Sequence, residues 1–102
     1  MIEVKKVSEI TADELADYLR VSTEDDGSTV KQLNTFLSAS KAFIKSYIDE
    51  DDDKYLDDHP EFITVVYVLV QDMYDNRTLY PDKSNLNYTV KSILDMHTGY
   101  VG

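Results

Sequence analysis

The sequence predicts an all-α protein: a small bundle of about four helices with one long central helix, an acidic loop and a flexible C-terminal tail. Two observations lead there. Thr11-Ala12-Asp13-Glu14 has the form of a capping box, in which the Thr11 hydroxyl accepts from the Glu14 amide and the Glu14 carboxylate reaches back to the Thr11 amide. Between Ser28 and Ile48, Val30, Leu33, Leu37, Ile44 and Tyr47 recur at helical spacings, and Phe36 and Phe43 widen the stripe. A third segment, Phe62 to Val70, fits two structures on physics alone. Its β-branched content favours a buried strand. Its continuation through Asp72, Met73 and Tyr74 suits a helix hidden on most sides.

In chain order, residues 1–10 read as a short extended lead-in. The first helix runs from Thr11 to Leu19, with Ala12, Leu15 and Leu19 on one face and Tyr18 beside it. Ser22 to Gly27 is a polar, acidic turn. The second helix spans Ser28 to Ile48, about 30 Å at a rise of about 1.5 Å per residue. Ser40 interrupts its apolar stripe where a small residue lets another helix approach. Asp49 to Asp58 is a run of like charges with few apolar groups, which predicts an exposed loop. Asp57 or Asp58 is placed to cap a helix that has Pro60 in its first turn. Arg77 to Asn87 reads as a loop broken by Pro81. A last short helix, Tyr88 to Met96, sets Val90, Ile93, Leu94 and His97 on one side, and Gly99 to Gly102 is a tail.

Composition narrows the function classes. A chain of 102 residues makes one domain, burying roughly 60–65% of its unfolded surface. Twenty acidic against ten basic residues leave a net charge of −10. That balance opposes nucleic-acid binding, which needs Lys and Arg to displace phosphate counterions. No cysteine is present, so disulfides, thiolate metal sites and cysteine nucleophiles are excluded. Met1 to Lys6 has no apolar signal region, and Phe62 to Val70 falls short of the ~20 residues that span a bilayer. The expectation is a soluble protein of a cytoplasm, with no membrane partner.

No motif carries a reaction. Counted from Asp49 as an EF-hand loop, position six is Lys54 and position twelve is Pro60, where Gly and Glu are required. His59 and His97 lie in different elements without a helical His partner, and read as surface or cap residues. The glycines Gly27, Gly99 and Gly102 are isolated, and no Ser sits in a Gly-x-Ser-x-Gly elbow. The chain is therefore expected to be no enzyme, with no cofactor and no metal site. Eight Tyr and no Trp are present, and Tyr74, Tyr80, Tyr88 and Tyr100 gather towards the C-terminus. Tyr joins an apolar face to a polar tip, which suits an interface as well as the edge of a small core. Arg77, at a helix C-terminus, opposes the negative end of the dipole and bonds free carbonyls or a carboxylate.

Tyr74-Asp75-Asn76-Arg77 closes the apolar segment, and a polar, proline-broken stretch and then Tyr88-Thr89-Val90-Lys91-Ser92-Ile93-Leu94 follow. This order resembles the small head–tail connector (adaptor, head-completion or putative DNA-packaging) proteins of tailed bacteriophages. In that family a buried helix ends in a Tyr-Glu/Asp-Asn-Arg-like signature before a loop and a short C-terminal helix. The likeness extends to the acidic turn Glu24-Asp25-Asp26-Gly27 and to Ser38-Ala39-Ser40-Lys41-Ala42-Phe43-Ile44 in the long helix. It implies a helix from about Glu61 to Asn76, with Tyr74, Asn76 and Arg77 as its structural signature. One departure is Met96-His97-Thr98, which replaces a Gln-Leu-Arg-like ending before Gly99. The resemblance implies a ring of like subunits below the portal, usually matching its twelve-fold symmetry. The partners it implies are the portal protein and the next head-completion or tail protein, with DNA passing through the channel unbound. The protein would sit at the head–tail junction of the virion, and in the host cytoplasm during assembly. Tyr88 to Gly102 becomes the portal-facing segment, with Tyr88, Val90, Ile93, Leu94, His97 and Tyr100 as its contact residues. The alternative is an acidic interaction module, a regulator or nucleic-acid mimic, resting on the charge and the acidic loop.

Overall fold

The capping box forms as its residues dictate. Thr11 Oγ1 accepts from the Glu14 amide at 3.2 Å, and Glu14 Oε1 accepts from the Thr11 amide at 3.1 Å. This opens α1 (Ala12–Leu19). A computed structural model describes residues 6–78, 80, 81 and 83–98. Within them lie four further helices: α2 (Ser28–Ile48), α3 (Asp53–Asp57), α4 (Glu61–Asn76) and α5 (Tyr88–Met96), and no strand. Single 3-10 turns occupy Val7–Glu9 and Lys83–Asn85. The chain is an all-α bundle, as the sequence predicts. The 1–5 lead-in and the Gly99–Gly102 tail lie outside the described residues.

Burial resolves the ambiguity of the apolar segment. Phe62, Val65, Val66, Leu69, Val70 and Met73 are buried while Thr64 is exposed. Those intervals of three and four are helical; a strand would have set Thr64 beside Phe62 and Val66. α4 lies at the centre, packed on α1, α2 and α5. Its most extensive contact is with α2, through the buried row Leu33, Phe36, Leu37, Ser40, Ile44 and Ile48. Each fully buried Leu, Val or Phe contributes about 1.5–3 kcal/mol, so the α2–α4 seam carries much of the fold.

Ser40 sits in that seam, fully buried, and its Oγ has no hydrogen-bond partner among the described residues. Its small volume admits the neighbouring helix. Ser40→Ala removes the orphan and raises helix propensity, so a gain of about 1 kcal/mol is expected in urea denaturation.

Three helices end alike. Arg20, Asp49 and Arg77 adopt left-handed φ of 59°, 57° and 55°. The amides of Val21, Glu50 and Thr78 then reach back to Ala16, Lys45 and Met73. This is the Schellman closure, here made without glycine. Gly27, at φ 93°, instead precedes α2. There the acidic turn does the capping: Asp25 accepts from the Gly27 and Thr29 amides and Asp26 from the Ser28 amide. Hydrogen bonds from the Thr29 and Ser28 hydroxyls are the main reason both carboxyls lie below their usual range.

Three expectations need correction. The run Asp49–Asp58 is not simply an exposed loop, because it contains α3 with Leu56 1% exposed. Asp52 caps α3 by accepting from the Lys54 amide, and Leu56 packs towards the Val7–Glu9 turn, where Val7 and Ile10 are also buried. The second correction concerns the lead-in. The helical turn at 7–9 replaces extended chain because Val7 and Ile10 must reach the core that Leu56 closes. The third concerns the cap of α4. Neither Asp57 nor Asp58 supplies it; Pro60 is itself the N-cap, without a side-chain bond. Asp57 instead accepts from the Ser8 amide at 2.9 Å, and Asp58 pairs with Lys54.

Candidate functional site

The signature closing α4 is a structural knot. Asn76 Nδ2 donates to the Asp72 carbonyl and to Asp72 Oδ1, both at 2.9 Å. Tyr74 meets Phe36 edge-on with ring centroids 6.5 Å apart, tying the end of α4 to α2. The Arg77 guanidinium lies 5.7 Å from the Tyr74 ring, and the Arg77 amide donates to Met73. Arg77 thus bonds a free carbonyl through its backbone and covers an aromatic face through its side chain. Among the described residues it pairs with no carboxylate.

The expected contact residues of the C-terminal segment divide into two groups. Val90 and Leu94 are fully buried, Ile93 is half-buried, and all three pack into the core. Tyr88 is 84% exposed, as is Met96 at 77%. Tyr100 lies outside the described residues. Asn87 caps α5 by accepting from the Thr89 and Val90 amides. Asp95 ties the other side of α5 to α2 by accepting from Tyr47 Oη at 2.6 Å. It also pairs with Lys91 at 2.8 Å. Hydrogen bonds from Lys91 and then Tyr47 hold the Asp95 carboxyl below its usual range.

His97 is the C-cap of α5, one of the two roles expected of it, but it is not a surface residue. Its side chain is 9% exposed and both ring nitrogens are engaged. Nε2 meets Glu61 Oε2 at 2.8 Å, and Nδ1 meets Tyr55 Oη at 2.8 Å. Its ring lies 4.5 Å from Phe62 and 4.8 Å from His59, centroid to centroid. His59 Nδ1 in turn donates to the Tyr55 carbonyl at 2.7 Å. A Nε2–H that donates to Glu61 leaves Nδ1 to accept from Tyr55, so one tautomer satisfies both partners. Two histidines 38 positions apart in the chain thus meet where α3, α4 and α5 converge. Sequence reasoning treated them separately. The available signal was the register: His97 follows Val90 and Leu94 on the face that turns inward.

Both His97 nitrogens are occupied, and no group of three His, Asp or Glu poised for a metal occurs among the described residues. Burial pushes the Glu61 carboxyl up, but hydrogen bonds from its own backbone amide and from His97, with the electrostatic pull of the two nearby imidazole rings, outweigh it. The net effect is below the usual value of 4.5. A depressed carboxylate contributes stability above its unfolded pKa, and this is lost as pH falls through the folded value. Glu61→Gln is therefore expected to flatten the acid limb of a stability-versus-pH curve below about pH 4.5. Thermal melts of both proteins from neutral pH to pH 3 would show it.

No family model, no curated protein and no solved structure matches this chain. No helix among the described residues is long and apolar enough to cross a membrane.

Proposed function

We propose that this chain is a structural subunit of a bacteriophage or prophage head–tail connector. It assembles as a ring below the portal, extends the DNA channel and links the packaged head to the tail. The observation that supports this reading best is the order of elements around the signature. A buried central helix ends on Tyr74-Asp75-Asn76-Arg77, a loop follows, and a short amphipathic helix closes the fold. The chemistry of the surface agrees. At a net charge of −10, a channel wall of such subunits repels DNA and lets it slide. Because Val90 and Leu94 belong to the core, contact with a portal through this segment falls to exposed Tyr88 and Met96. Tyr80, 79% exposed, adds a further aromatic surface. Rings form when one surface docks on a different surface of the neighbour, and Tyr suits such contacts.

Native mass spectrometry of this protein mixed with the portal protein of the same genome tests the proposal. The expected result is a ring's worth of subunits on each portal, lost in Tyr88→Asp with an unchanged melting temperature. An intact portal that binds none would overturn it. The charge then favours the acidic interaction module, recognised by salt-reversible competition with DNA for a basic partner.

A further inference from the structure

A groove of about 170 Å³ runs between α4 and the residues that lead into α5. Pockets that enclose a drug-sized molecule measure about 300–1,000 Å³, so this one has room for a single side chain. Its walls are apolar: Val68 and Leu69 from α4, Leu86 from the connection and Val90 from α5. Its polar groups are Asp72 and Asp75, with the amides of Gln71 and Asn87. Among the described residues, no Lys or Arg lines it.

We infer that this groove receives an arginine side chain of a partner protein. The warrant is charge complementarity joined to shape. Asp72 and Asp75 are three positions apart on α4 and therefore share one face. Asp72 is half-buried and held in place by the Asn76 amide on Oδ1. Asp75 is exposed and makes no hydrogen bond or ion pair among the described residues. The carboxylate pair is thus half anchored and half unpaired. Asn87 accepts the α5 amides through Oδ1, which fixes the lip of the groove. A long basic side chain buries its methylene stem along apolar walls and keeps its head at the polar end. Arginine fits better than lysine, because its planar fork bonds carboxylates bidentately and is less strongly hydrated. A carboxylate-bearing or purely apolar occupant would leave Asp72 and Asp75 repelled or desolvated. The inference does not depend on the connector reading, since it specifies the partner's chemistry and not its identity.

The test is a 1H–15N titration of the whole chain with N-acetyl-arginine amide, using N-acetyl-lysine amide and N-acetyl-norleucine amide as comparators. Saturable shifts are expected at the amides of Val68, Asp72, Asp75 and Leu86 with the arginine probe. Affinity should be weaker for lysine and absent for norleucine. In Asp75→Asn, whose exposed side chain supports nothing else, arginine affinity should drop about tenfold. Three results would each overturn the inference. One is no saturable shift at the groove. Another is equal shifts across the whole acidic surface, as simple charge screening would give. The last is groove binding that Asp75→Asn leaves unchanged.

Discussion

Replacing Leu56 with Ala is expected to destabilise the protein by about 2–5 kcal/mol, the range for a fully buried Leu. Against a total of about 5–15 kcal/mol for a domain, that is a large fraction. The side chain is 1% exposed although the other nine residues from Asp49 to Asp58 are seven acids, Lys54 and Tyr55. Its loss leaves a cavity between α3, the Val7–Glu9 turn and the core, and the turn loses the surface it packs on. Urea denaturation should show a lower midpoint with little change in slope. Hydrogen exchange at Ile10, whose amide donates to Val7, should accelerate more than exchange in α2. Asp51→Ser, at an exposed position of the same run, should stay within about 0.5 kcal/mol. If Leu56→Ala were as mild as Asp51→Ser, α3 would be no part of the cooperative fold.

His97→Ala is expected to cost about 2–4 kcal/mol and to loosen α5 before the rest. The substitution opens space beside Phe62 and His59. It also strips the Tyr55 hydroxyl and the Glu61 carboxylate of a shared partner. His97→Phe separates the two losses, because it keeps most of the volume and removes both hydrogen bonds. It should fall between wild type and Ala, by about 1–2 kcal/mol less than Ala. Hydrogen exchange in α5 reports where the loosening starts. Equal effects of Ala and Phe would assign the whole cost to the hydrogen bonds.

The sequence was most legible where a signal is local. The capping box of α1, the stripe of α2 and the apolar face of α5 each contain their own evidence within a few turns. Their bounds, Ser28–Ile48 for α2 and Tyr88–Met96 for α5, match the expected ones. The central helix was half legible. Val65, Val66, Val68 and Val70 pull towards a strand by propensity. The helical period becomes visible only when burial separates Thr64 from its neighbours. The signature Tyr74-Asp75-Asn76-Arg77 was readable as a helix end, and its side chains do tie α4 to α2 and close its last turn.

What remained hidden depends on contacts between distant segments. Charge density said loop over 49–58, and one leucine overruled it, since burying Leu56 outweighs solvating its acidic neighbours, whose carboxylates stay in water. The meeting of His59 and His97 is decided by how α5 folds back on α3 and α4, which no local pattern records. The groove beside Asp72 and Asp75 likewise exists only because α5 and its approach pack against α4. By itself, the sequence determined the helical class, the long central element and the acidic surface, because periodicity and charge are properties of the chain. Tertiary structure alone decided which polar residues turn inward, because that depends on which partners wait there.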